Sequence, residues 1–158
     1  MTRGGRALEV AVRHPRLKAD RRKLAAAIGV LDQNAGKFLG GCPEGELSVA
    51  FLSDRALAAL HGDFLEDPTQ TDVITFSGDA AHGLAGEICV SVDAAVRQVG
   101  PSGPRFSAEV MLYVVHGWLH LAGYDDLSPA KKRVMRRAEK RALALLAQSG
   151  SMPRFKLA

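Results

Sequence analysis

Apolar and polar residues alternate through LEVAVRH (residues 8–14) and again through ELSVAFLS (46–53), the period-two signature of a strand. Two more strands are predicted: TDVITF (71–76), short and β-branched, and AGEICVSV (85–92). Elsewhere the period is helical. Residues 19–31 put Leu24, Ala27, Ile28 and Leu31 on one apolar stripe behind Asp20 as N-cap. Asp54 is expected to cap a helix reaching about Phe64, and Asp93 one reaching about Val99. GPSGPRF (100–106) breaks the chain before a long helix from about Ser107 to Ala122, which Gly123 ends. Ser128 at N-cap and Pro129 at N1 open a last helix ending near Gln148. GKFLGGCPEGE (36–46) and SGDAAHG (77–83) read as loops, and EDPTQ (66–70) as a turn. With no repeat and no linker, this pattern predicts one domain over 1–158. Its fold class is α+β: a mixed four-stranded sheet in a single layer, packed with helices.

At 158 residues the chain can bury roughly 68–70% of its unfolded surface, so it needs neither disulfide nor structural metal to fold. Cys42 and Cys89 have no CxxC partner and are expected to be packing residues in a reducing compartment. No run approaches 18 apolar residues, and the basic N-terminus lacks the apolar core of a signal peptide. The expectation is a soluble, cytoplasmic protein with no membrane partner.

Charge is unevenly placed. Residues 1–23 carry eight Arg or Lys against two acids, and residues 128–148 seven against one, with Arg154 and Lys156 beyond them. The middle, 24–127, carries four basic and fourteen acidic residues. An acidic centre suits a cation site and basic flanks suit a polyanion. Charge runs of this size also occur simply as solvated helix faces.

The chemistry concentrates in HGWLHLAGYDD (116–126). His116 and His120 are four apart on the predicted long helix, so both rings leave the same face one turn apart. Gly123 lets the chain fold back, and Asp126 returns as the third ligand of one cation. Three protein ligands leave a coordination position open, the mark of a catalytic zinc site on a metalloprotease-like helix. The residue after the first histidine, however, is Gly117, where a zinc peptidase has its glutamate base. Amide cleavage needs that proton carrier. Phosphodiester cleavage leans more on charge neutralisation and in-line positioning, so the pattern points to phosphodiester chemistry.

Here the sequence resembles the YbeY family of bacterial endoribonucleases, whose signature HGxLHLxGYDH this chain matches at every position but the last. Met135 and Glu139 fall on the family's Met-x-x-x-Glu, TDVITF resembles its TDVLSF, and GEICVSVD (86–93) its GDIxIS strand. The likeness covers about residues 45–145. It implies a single-strand-specific, metal-dependent endoribonuclease that matures the 3′ end of 16S ribosomal RNA and serves ribosome quality control. It also implies one Zn²⁺ per chain, held by His116, His120 and Asp126 as catalytic residues. Ribosomal RNA and the ribosome are the partners implied, with a small-subunit ribosomal protein or GTPase as a further class.

Two departures matter. Asp126 stands where the family has a histidine, a donor set that would also accept Mn²⁺, Ni²⁺ or Fe²⁺; adjacent Asp125, which matches the family's own aspartate, is the alternative third ligand, with the offset favouring Asp126. The arginine many members carry before TDVITF is absent, with Leu65 near its place; Arg97 and Arg105 are the candidate substitutes. On the last helix, Met135, Ala138, Ala142, Leu145 and Leu146 form the inward stripe. Lys132, Arg133, Arg136, Arg137 and Lys140 cluster on the other side as an RNA-binding track. Trp118 and Tyr124 are read as packing residues more than stacking platforms, Glu87 and Asp72 as candidates for supporting or base roles, and His14, His61 and His82 as surface. The rival reading is a metal-bound assembly factor that binds ribosomal RNA and cuts nothing.

Overall fold

The computed structural model describes residues 5–65 and 72–158. Four strands form the main sheet: β1 (Leu8–Val12), β3 (Glu46–Leu52), β4 (Val73–Asp79) and β5 (Leu84–Ser91). Their spatial order is β1-β3-β5-β4, with β1, β3 and β5 parallel and β4 antiparallel along the edge of β5. The helices are α1 (Arg21–Gln33), α2 (Asp54–Leu65), α3 (Val92–Val99), α4 (Gly103–Ala122) and α5 (Pro129–Gln148). This is the mixed α+β arrangement expected. Beside it stands a second, two-stranded sheet, β2 (Leu17–Ala19) against β6 (Phe155–Leu157), which the sequence pattern did not predict.

Alternation along β3 separates two apolar layers. Leu47, Val49 and Phe51 face the larger core with α1, α3, α4 and α5, while Ala50 and Leu52 face a smaller one with Leu57 of α2. Helix α4 lies across β5 and β4 and is buried along most of its length, including Trp118 and Leu119. The stripe predicted for α1 is buried in full, and that of α5 except Leu145, which is half-buried. Cys42 and Cys89 are buried free thiols, and burial pushes them up to about 11 and about 12.

A polar knot ties the segment before β1 to α1 and α4. The Arg6 guanidinium donates to both carboxylate oxygens of Asp32 (2.8 and 3.0 Å) and to the carbonyls of Pro43 and Gly45 (2.7 and 2.8 Å). Trp118, fully buried, donates Nε1–H to the same Asp32 at 3.1 Å and meets Phe38 edge-on. Asp32→Ala would strand a guanidinium and an indole N–H together. It is expected to cost about 3 kcal/mol, read as a shift in the denaturant midpoint.

Several local expectations are corrected. Ser53, not Asp54, caps α2, and Ser91, not Asp93, caps α3; each serine Oγ accepts a backbone N–H three residues on. The two aspartates are left free for longer-range bonds. Asp54 accepts from Ser91 Oγ at 2.8 Å and pairs with Arg97; Asp93 accepts from the Asp54 N–H and from His14. His14 is therefore buried and not a surface residue. Its Nδ1 accepts the Arg16 N–H at 3.2 Å, so Nε2 carries the hydrogen that meets Asp93 at 2.9 Å. Helix α4 begins at Gly103, inside the segment predicted to break the chain, because Pro104 sits in the first turn where its missing N–H costs nothing. Strand β4 begins at Val73 and runs on to Asp79, into the predicted loop; Thr71 lies outside the described residues.

Candidate functional site

A cleft of about 790 Å³ opens between the start of β4, α4 and the first turns of α5. Helix α4 presents His116 and His120 to it from successive turns of one face, as their spacing predicts. Their helix ends at Gly123, in the left-handed region at φ 117°. The Gly123 N–H reaches the His120 carbonyl (3.1 Å) and the Tyr124 N–H reaches the Leu119 carbonyl (3.1 Å). The chain turns back there and brings Asp126 to the same cleft. Asp125 is directed elsewhere: it accepts the Leu127 N–H at 3.0 Å and pairs with Lys131 at 3.4 Å, and the Leu127 hydrogen bond, reinforced by Lys131, lowers its pKa.

His116 is the most constrained of the set. Its Nδ1 lies 2.7 Å from Oε2 of Glu139, which comes in from α5 and is itself largely buried. Burial opposes the charged imidazole, but the Glu139 hydrogen bond and the charges of Glu139, Asp126 and Asp72 outweigh it, and the His116 pKa is raised. A carboxylate on Nδ1 leaves Nε2 as the ring nitrogen free for a cation, the arrangement common behind metal-bound histidines. Two imidazoles and a carboxylate suit a divalent ion chemically. Among the described residues no group of three His, Cys, Asp or Glu side chains stands close enough together to hold one. The three candidates share a cleft wall and do not form a closed cage.

Gly117 is buried against the sheet. A Cβ there would fall 2.5 Å from Ile88 Cγ2 and 3.0 Å from Thr75 Cγ2. The position that holds a glutamate in zinc peptidases is here a point of close helix–sheet approach, and glycine is what lets α4 lie down on β4 and β5.

The cations of the cleft are Lys132 and Arg136, one turn apart on α5. Of the five residues predicted to form the RNA-binding track, Lys132 and Arg136 line the cleft; Arg133, Arg137 and Lys140 are exposed further round the helix. Arg97 is paired with Asp54, and Arg105 is exposed; neither lines the cleft. Asp72 lines it and Glu87 does not. Trp118 and Tyr124 are buried, Tyr124 with its hydroxyl accepting from Arg141, so both are packing residues. Exposed His82 pairs with Asp79, while the His61 and Leu65 side chains lie outside the described residues. Sequence reasoning missed Glu109 and Tyr113, which line the cleft one turn apart on α4. Burial and neighbouring Glu109 raise the Tyr113 pKa. No motif marked that pair.

The layout is that of an α+β protein whose paired histidines sit on its central helix beside an antiparallel sheet edge. The profile of the family described as endoribonuclease YbeY matches residues 10–147. Endoribonuclease YbeY of Chlamydia muridarum is 39% identical over 113 residues, covering 68% of this chain and 70% of the relative. That of Rhodopirellula baltica is 37% identical over 115 residues, covering 71% of this chain and 59% of the relative. The solution structure of TM1509 from Thermotoga maritima, 22% identical, shares the fold with a TM-score of 0.56 over 91% of this chain and 92% of its own. The chain belongs to the endoribonuclease YbeY family. Among the described residues no helix is long and apolar enough to cross a membrane.

Proposed function

We propose that this protein is a metal-dependent endoribonuclease that cuts single-stranded RNA, acting in the cytoplasm on the 3′ end of 16S ribosomal RNA and in ribosome quality control. The observation that carries the reading is the joint presence of His116, His120 and Asp126 in one cleft, with Glu139 on His116 Nδ1 and Lys132 and Arg136 on the facing helix. His116, His120 and Asp126 would have to draw closer together than they stand in the cleft to hold one Zn²⁺ per chain. A cation there supplies charge neutralisation at the scissile phosphate and a water of lowered pKa.

The chain's own residues do the rest. Glu139 fixes the tautomer and tilt of the His116 ring. Lys132 and Arg136 draw in the sugar–phosphate backbone and offset the repulsion that Asp72, Glu109 and Asp126 exert on it. The family membership supports the RNA substrate, and the missing glutamate at position 117 argues against a peptidase. The ribosome, and a small-subunit ribosomal protein or GTPase that guides the enzyme to it, complete the reading.

The test is cleavage of a single-stranded 16S ribosomal RNA fragment by the purified protein, with and without chelator. Cutting that stops with chelator and returns with Zn²⁺ or Mn²⁺ is the expected result. RNA that is bound but never cut, with or without metal, would favour an assembly factor.

A further inference from the structure

The basic segments at the two ends of the chain meet on one surface. Strands β2 and β6 pair antiparallel with Lys18 directly opposite Lys156, flanked by Leu17 opposite Leu157 and Ala19 opposite Phe155. Leu17 and Phe155 are buried while both lysines are exposed, so the ribbon turns its apolar side inward and its lysines to solvent. Arg16 and Arg154 each lie two residues before a lysine, hence on the same outer face, and both are exposed. The ladder extends to them: Ala158 N–H donates to the Arg16 carbonyl (2.8 Å) and Asp20 N–H to the Arg154 carbonyl (3.4 Å). Strands lie about 4.8 Å apart and alternate residues about 6.8 Å, so four cations are rooted in a very small area.

Among the described residues none of the four forms an ion pair. The one acid in register, Asp20 beside Arg154, has its carboxylate capping α1 through the Lys23 N–H. Like charges directly opposite destabilise a β ladder, and a two-stranded ribbon has little stability to spare. The repulsion is relieved when an anion lies across the pair. A row of cations with no aromatic or amide side chain among them holds a phosphate backbone and reads no bases.

We propose that the outer face of the β2–β6 ribbon, formed by Arg16, Lys18, Arg154 and Lys156, is a second RNA-binding surface that anchors the phosphate backbone of a long strand outside the cleft. None of the four lines the cleft, and β2 contacts β1, at the opposite edge of the main sheet from β4. The inference rests on the RNA reading above. It assigns the ribbon to substrate affinity and leaves the cleavage step to the cleft.

The experiment uses the full chain carrying Lys18→Gln and Lys156→Gln, with Arg16→Gln/Arg154→Gln as a second ribbon variant and Lys132→Ala/Arg136→Ala as the cleft comparison. Binding to a long single-stranded ribosomal RNA fragment is measured across a salt series, beside cleavage of a short oligonucleotide. Each ribbon variant is expected to bind the long RNA about tenfold more weakly at low salt, with the slope of log K against log salt reduced by about 1.4. Short-oligonucleotide cleavage stays unchanged, and the melting midpoint of the lysine variant holds or rises as the repulsion is removed. Unchanged long-RNA affinity and slope in both ribbon variants, with weakening only in the cleft variant, would overturn the proposal. So would retained RNA binding with loss of binding to phosphatidylserine vesicles, which would make the ribbon a membrane-facing surface. If the unaltered protein binds no RNA, the RNA reading itself fails.

Discussion

His120→Ala is expected to lower RNA cleavage about a thousandfold or more while leaving the melting midpoint within about 0.5 kcal/mol of the parent. His120 is exposed and its ring makes no hydrogen bond or ion pair among the described residues, so the fold does not depend on the ring. Its loss would remove one of the three donors proposed for a cation whose contribution to phosphate chemistry would be several kcal/mol, and each 1.36 kcal/mol is about tenfold in rate. Glu139→Gln gives the graded version. The amide keeps the shape but no longer offers a carboxylate to the His116 Nδ1–H, and the expected loss is about 10–100-fold in zinc affinity and in cleavage. Zinc titration by calorimetry reads the first effect independently of activity. A Glu139→Gln protein that binds zinc as tightly as the parent would show that the 2.7 Å contact is packing and not ligand orientation.

Gly117→Glu is the second large effect, and it falls on folding. The added Cβ would sit 2.5 Å from Ile88 Cγ2, on a side chain with no exposed surface into which to retreat. Even Gly117→Ala sets an overpacking cost of about 1–3 kcal/mol against a helix-propensity gain of about 1 kcal/mol. A carboxylate adds burial of a charge with no partner, so the expected loss is about 5 kcal/mol or more, comparable to the whole stability of many domains. Denaturant unfolding, or failure to obtain soluble protein, reads it. A folded, stable Gly117→Glu enzyme would mean that α4 can lift off the sheet, against the close approach described.

Much of this was legible in the sequence where local chemistry decides local structure. Helices α1 and α5 announced themselves through the 3.6-residue spacing of Leu24, Ala27, Ile28 and Leu31, and of Met135, Ala138 and Ala142, each behind a capping side chain. The two histidines and the turning glycine are likewise local, so their shared face followed from spacing alone. What failed was non-local or balanced on one residue. Ser53-Asp54 and Ser91-Val92-Asp93 each offer two competent caps, and only the long-range pull of Arg97 and His14 on the aspartates decides between them. The burial of His14 depends on a partner 79 positions away. Strands β2 and β6 have three residues each and exist only as a pair from opposite ends of the chain, too short for any periodicity to reveal. On α5, Lys132 and Arg136 face the cleft while Arg133 and Arg137, one residue on, do not. A 100° step separates them, and charge composition cannot see it.

The protonated state of Cys42 and Cys89 bears on which ions the proposed site would keep. Thiols pushed up to about 11 and about 12 offer no thiolate at neutral pH, and neither cysteine lines the cleft. Thiophilic ions such as Cu⁺ would meet no thiolate in the cleft, where the thioether of Met135 is the sulfur among the lining residues. Selection at the proposed site would rest on the nitrogen and oxygen donors of His116, His120 and Asp126, where coordination geometry and cellular supply outweigh softness, and the two buried, protonated thiols are poor partners in thiol exchange.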